Sequence, residues 1–163
     1  MNNNDSESSQ MDIPLEKGMN RYHDWQIKQD LENQEFTRYH LENLLGIDVE
    51  PQPELSIWDW EFRLNDHLYG IGEYRRRFHK FGSYSDFRFS KKKFDAMKKK
   101  SIDEKIIALM FVQFNDQFLF FKIEGKPVSE IMRRNHEVRT EECVCIPNNW
   151  FKQLNELEKI LFF

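Results

Sequence analysis

The sequence predicts an α/β, or α+β, domain: a sandwich around a mixed central β-sheet flanked by helices. Three observations carry that expectation. A period-two stretch, Ile57 to Leu64, runs through turn chemistry into a second strand-like stretch, Leu68 to Arg77, which is a hairpin pattern. Ile106 to Phe114 (IIALMFVQF) is almost continuously apolar, as expected of a central strand covered on both faces. Helical patterns come before, between and after these strands.

Taken in order, residues 1–20 are polar, interrupted by Pro14 and Gly18, and read as a disordered leader to a single domain over 21–163. From Arg21 to Leu45, Trp25, Leu31, Phe36, Tyr39 and Leu44 recur at helical spacing, and Gly46 follows as a stop. Pro51 and Pro53 mark an extended connection. Within Ile57 to Leu64, Trp58, Trp60, Phe62 and Leu64 share one face, and Asp59, Glu61 and Arg63 the other. Asn65-Asp66-His67 supplies the turn, and Gly70 and Gly72 signal a bend or a close backbone approach in the return strand. Phe78 to Phe89 is an aromatic, basic loop or irregular strand. Ser90 is expected to cap a short helix through Lys100 with Phe94 and Met97 inward. Ser101-x-x-Glu104 is a second helix-start signal before the central strand. Asn115-Asp116 turns the chain into Gln117 to Ile123. Val138 to Ile146 reads as an edge strand ending at Pro147. Asn148 or Asn149 is expected to cap a closing helix with Phe151, Leu154, Leu157 and Leu161 inward.

A chain of 163 residues, 32% charged and 39% hydrophobic, is long enough for a single core, and that core is expected to be small. Its 15% aromatic content, with 15 Phe, argues against overall disorder. No run of apolar residues is long enough for a membrane span, and no signal-peptide h-region is present. Cys143 and Cys145 alternate along one strand, which places their Cα atoms about 6.5–7 Å apart, awkward for a disulfide. Two thiols are also too few for a structural zinc site, so buried cysteines in a reducing cytoplasm are expected. The five histidines show no ligand spacing, and only His79 lies inside the basic loop. The net charge of −4 hides an asymmetry. Arg75 to Lys100 contains eleven Lys/Arg and two acids, a net +9, which leaves −13 for the rest. Such a segment is either a footprint for a polyanion or a solvated face.

The hairpin brings carboxylates together. A three-residue loop, Asn65 to His67, sets Leu64 against Leu68, and therefore Asp59 against Glu73 and Ile57 against Arg75. Opposed residues share a face with Cβ atoms about 5 Å apart. Two carboxylates so placed repel unless a cation lies between them, and oxygen donors of this kind suit Mg²⁺ or Mn²⁺. Glu61, one pleat along, is a candidate third donor. A loop one residue shorter or longer would send Asp59 and Glu73 to opposite faces.

Asp59, thirteen residues, then Glu73-Tyr74-Arg75 resembles the PD-(D/E)xK motif of the restriction-endonuclease-like nuclease superfamily. The order that follows is similar to small phage-type nuclease domains: basic residues to Arg77, the aromatic loop, the Ser90-started basic helix, two strands and Ile146-Pro147. The resemblance implies a restriction-endonuclease-like fold with the divalent ion held by Asp59 and Glu73. It also implies a lysine two positions past the Glu that helps activate water, and a Glu on the leading helix near the site, Glu35 or else Glu32. Here Arg75 stands in the lysine position. Arginine stabilises an anion but cannot serve as a base. A lysine from elsewhere, Lys80 or one of Lys91 to Lys93, would have to reach in, or the chemistry has been lost.

Two functions follow. One is a Mg²⁺- or Mn²⁺-dependent endonuclease acting on nucleic acid, DNA first, with Asp59, Glu73, Arg75 and Glu35 in catalysis and Asp59, Glu73 and Glu61 on the metal. Arg76, Arg77, Lys80, Lys91, Lys92, Lys93 and Lys98 would hold backbone phosphates. The other is a catalytically inactive nuclease-fold protein that binds nucleic acid or a protein, which Arg75 favours. Since two strands need two cuts, a homodimer fits the first, and a place in a nucleoprotein complex fits the second.

Overall fold

The computed structural model describes residues 19–125, 129–134 and 140–162. The leader expected over residues 1–20 lies outside them up to residue 18. In chain order the elements are α1 (Met19–Leu45), β1 (Asp48–Pro51), β2 (Trp60–Leu64), β3 (His67–Arg76), β4 (Asp86–Ser90), α2 (Lys91–Glu104), β5 (Ile107–Gln113), β6 (Phe118–Lys122), β7 (Ser129–Arg134), β8 (Thr140–Pro147), β9 (Lys152–Gln153) and α3 (Leu157–Phe162). The chain forms two compact units that divide after His40, within α1. The first is helical, with Thr37 bonding back to the Asn33 carbonyl at 2.8 Å. The second holds all strands among the described residues.

Its main sheet has the order β1-β2-β3-β5-β6-β9 and is mixed. β3 and β5 are parallel; the other neighbours are antiparallel. Parallel neighbours need a crossover, and the segment carrying β4 and α2 provides it. The apolar run behaves as its pattern predicts. Ala108, Met110 and Val112 face one core with Ile71, Phe94 and Met97, while Leu109 and Phe111 face another with Leu41, Trp60, Phe62 and Leu157. A small sheet, β4-β8-β7, completes the first of these cores through Phe87, Phe89, Val144 and Ile146. This is the mixed central sheet with flanking helices that the sequence predicts.

Several local expectations are corrected. Helix α1 begins at Met19, and the segment before the Pro51–Pro53 connection forms β1 against β2. β2 itself begins at Trp60, so Trp58 does not join its face and packs on the opposite core. Helix α2 runs through Ser101 and ends when Lys105 turns left-handed at φ 54° and donates its N–H to the Ser101 carbonyl. β8 is the middle strand of the small sheet, not an edge, because β7 was not anticipated; Val138 and Arg139 lie outside the described residues. The closing helix starts only at Leu157. Phe151 packs into one core and Leu157 and Leu161 into the other, so the chain must pass the sheet edge between them, and it does so as β9.

The hairpin differs instructively. Asn65 and Asp66, both at positive φ (49° and 67°), form a two-residue turn that pairs Leu64 with His67. A register shift between Phe62 and Arg63 then admits one extra residue in β3, after which Phe62 pairs with Gly70 and Trp60 with Gly72. Asp59 therefore falls opposite Glu73 after all. The short turn and the bulge compensate.

Candidate active site

β3 is the strand that builds the site. Ile71, Glu73 and Arg75 alternate onto the face of the sheet that packs under α2, with Glu73 paired in register to Met110 of β5. Glu73 has no exposed surface. Just before β2, the Asp59 N–H donates to the Gly72 carbonyl at 3.0 Å, which continues the ladder. Its carboxylate Oδ2 accepts the Tyr74 N–H at 2.9 Å, which aims the side chain at Glu73.

Two cations close the cluster. Arg75 Nη1 lies 3.4 Å from Glu73 Oε1 and also donates to the Tyr74 carbonyl at 3.2 Å. Lys93 Nζ lies 2.6 Å from Glu73 Oε2. Lys93 is delivered by the start of α2: Ser90 caps the helix, and its Oγ accepts the Lys93 N–H at 3.4 Å. Three lysines in the first helical turn oppose the helix dipole, which favours anions there. Glu73 opposite Lys93, with Asp95 at 2.8 Å and Glu130 at 3.7 Å from Lys91, supplies the compensating charge.

Burial pushes the Glu73 carboxyl up to about 8, and the hydrogen bond and charge of Asp59 add to the effect, while Arg75 and Lys93 pull the other way. At neutral pH Glu73 thus keeps its proton unless further positive charge arrives. A carboxyl pair with Glu73 fully buried and Asp59 partly exposed is a fitting environment for a divalent cation, and Mg²⁺ commonly uses one or two carboxylates with waters and substrate phosphate for the rest.

The other predicted residues are distributed as follows. Glu61 accepts from Arg63 Nη2 at 2.9 Å, and among the described residues no three His, Cys, Asp or Glu side chains gather into a metal cluster. Glu35 lies in the first unit, where the Arg38 guanidinium holds its carboxyl below the usual range. Arg76 is a tie within the fold, donating to the Gln113 carbonyl and Asn115 Oδ1, each at 2.8 Å, and lying over Phe78. Arg77 rests on the Phe87 ring and donates to the Arg88 carbonyl at 3.1 Å. On α2, Lys91, Lys99 and Lys100 have partners four residues on, and Lys98 donates to the Gly125 carbonyl. Lys80 and Lys92 are exposed. Cys143 and Cys145 are both buried. No helix among the described residues is long and apolar enough to cross a membrane.

A family described as "Phage putative PDDEXK endonuclease" matches residues 20–151. The chain belongs to this family. The match spans the carboxylate pair, Lys93 and every strand except β9. No curated protein matches the chain. Among solved structures, the 1.6 Å structure of Hjc, a Holliday junction resolvase from the archaeal hyperthermophile Archaeoglobus fulgidus, is similar at 13% identity. The likeness covers 77% of this chain and 93% of that one, with a TM-score of 0.49. Residue 75, where the linear motif has a lysine, is Arg75, and Lys93 at the start of the next helix contacts the same Glu73 carboxyl. The sequence offered Lys93 only as one of several lysines in reach; the signal that distinguishes it is its place one helical turn past the capping Ser90.

Proposed function

We propose that the chain is a divalent-metal-dependent endonuclease, acting first on DNA, in which Asp59, Glu73 and Lys93 form the working set and Arg75 assists. One observation carries the proposal: Lys93 Nζ sits 2.6 Å from the buried carboxylate of Glu73, so the lysine absent from the linear motif is restored in space. Asp59 and Glu73 would hold Mg²⁺ or Mn²⁺, which when bound polarises the phosphate and makes its water acidic. In the reaction a water oxygen attacks phosphorus, the phosphorus–oxygen ester bond breaks, and the leaving oxygen takes up a proton. Lys93 would orient the attacking water through its ammonium N–H groups, the water's proton passing to solvent, and Arg75, always charged, would neutralise the charge that builds on the phosphate. Lys80 and Lys92 offer cations to the flanking phosphates, and the exposed ion pairs of α2 are weak enough to exchange for them.

The test is nicking of supercoiled plasmid with Mg²⁺ or Mn²⁺. Wild type is expected to cut, and Asp59→Ala, Glu73→Ala and Lys93→Ala to lose cutting while still binding DNA. A wild type that binds in a salt-dependent way yet never cuts would establish the alternative that Arg75 favours, a nuclease fold retained for binding alone.

A further inference from the structure

The loop between β3 and β4, with Phe114 and Asn148, lines a half-open cavity of about 550 Å³, within the range of small-molecule sites. Its floor is apolar and buried: Phe87 and Phe114 are 4% and 3% exposed. Its wall is aromatic. His79 stands edge-on to Tyr84 at 4.8 Å and against Phe114 at 5.6 Å, and Tyr84 is 63% exposed at the rim. Cations bracket it. Arg77 is held in place over Phe87 at 4.6 Å, and Arg88 lies half-exposed beside Asp86 at 3.1 Å. Asn148 bonds the Tyr84 carbonyl at 2.7 Å, which ties the loop bearing Tyr84 to the end of β8. None of this is used by the carboxylate site.

We propose that this cavity receives one unpaired nucleotide of the substrate strand, its base against Tyr84 and His79 and its phosphate beside Arg77 and Arg88. The proposal rests on the nuclease function above and names its substrate class: nucleic acid with single-stranded character next to the cut. A concave site floored by Phe and walled by aromatic rings accepts a π-face of any base, and guanidinium groups at its edge accept phosphate. Bases inside a duplex remain stacked and cannot enter it; an extruded or single-stranded base can. Location supports the same strand. Glu73, Arg75 and Arg77 alternate on one face, and Arg77 N–H continues the ladder to the Gln113 carbonyl at 2.9 Å. The four residue-to-residue steps from Glu73 to Arg77 span about 13 Å, so the cavity lies a few nucleotides from the carboxylates.

The test uses the full chain in EDTA, with a single-stranded oligothymidylate carrying one 2-aminopurine, and the same strand in a duplex. Wild type should change the 2-aminopurine fluorescence of the single strand on binding. Tyr84→Ala should weaken single-strand binding by about tenfold or more and leave duplex binding unchanged. Tyr84→Phe, which keeps the ring, should bind as wild type does. Single-strand binding unaffected by Tyr84→Ala overturns the proposal, and so does an equal loss on single strand and duplex. If plasmid nicking persists under either result, the pocket alone is refuted. If wild type binds neither form and never cuts, the nuclease function falls with it.

Discussion

Replacing Glu73 by Gln should make the metal-free protein more stable, by an amount that grows with pH. Glu73 is fully buried and its carboxyl is pushed from 4.5 up to about 8, with burial as the leading cause. Between these limits the folded chain keeps a proton that the unfolded chain has released. The unfolded state then binds fewer protons, so folding stability falls as pH rises through this window. The cost is about 1.4 kcal/mol per pH unit once pH exceeds 4.5, which reaches about 1 kcal/mol at pH 5 and about 3 kcal/mol at pH 7. Glutamine keeps the shape and carries no charge, so it escapes this cost. Glu35 and Asp116, whose carboxyls are held low by Arg38 and by the Phe81 N–H, contribute stability that is already complete above pH 4.5. They leave the window clear.

The assay is urea unfolding of wild type and Glu73→Gln in EDTA at pH 5, 6, 7 and 8. The difference between the two cancels the histidines and any constant effect of the amide. It should widen by about 2 kcal/mol from pH 5 to pH 7, and at pH 7 it corresponds to a melting point higher by about 6–12 °C for a domain of this size. Millimolar Mg²⁺ or Mn²⁺ should then stabilise wild type and not the variant, since an ion bound only by the folded state adds RT ln(1 + [L]/Kd). A difference that stays flat with pH, or one that narrows as pH rises, would refute the assignment of a buried, proton-holding carboxyl and with it the electrostatic case for a metal site.

Other perturbations test the surrounding parts. Lys93→Ala should lower the nicking rate by about 10²–10⁴ with the circular dichroism spectrum unchanged, whereas Arg75→Lys should nick within a few-fold of wild type; the reverse ranking would return the role to residue 75. Gly72→Ala places a Cβ 2.9 Å from Phe62 Cε2 and 3.2 Å from Phe111 Cε2, so a loss of about 1–3 kcal/mol is expected in urea unfolding. Ser90→Ala removes the cap beneath Lys93 and should cost about 1 kcal/mol, with Ser90→Asp restoring stability. Asp66→Gly, at φ 67°, should raise stability by about 1 kcal/mol, because glycine adopts that backbone freely.

What the sequence made legible follows period and chemistry that act locally. The apolar run of β5 declared a strand buried on both sides, and Ser90 declared its helix, because each signal is contained in a few adjacent residues. The strands β1, β7 and β9 carried none. β9 is two exposed residues whose only reason to be extended is that Phe151 and Leu157 belong to opposite cores, a constraint visible once both cores exist. The paired lysines of α2 were equally opaque. Lys91–Asp95, Lys99–Asp103 and Lys100–Glu104 follow helical spacing, so part of the +9 segment is neutralised by its own neighbours, and the net figure overstated how much cation faces outward.

The carboxylate pair shows most clearly how a correct expectation rested on an incomplete cause. A three-residue loop and a two-residue loop with one bulge give the same alignment beyond the irregularity, since each displaces the register by the same single residue. Period alone cannot separate them. They differ in consequence. The tight turn demands positive φ at Asn65 and Asp66, and the bulge places the extra residue of β3 between Leu68 and Gly70. The opposition of Asp59 and Glu73 therefore lies beyond a feature between the turn and the site. Deleting Tyr69, the extra residue, would remove the bulge and join Leu68 to Gly70, so that Phe62 still faces Gly70 and Asp59 still meets Glu73 across an unbroken ladder. A protein so altered should fold with the same turn and keep both the pH-dependent stability gain that Glu73→Gln brings and the metal-dependent stabilisation; loss of both would mean that the bulge itself, and not the pairing beyond it, holds the two carboxylates together.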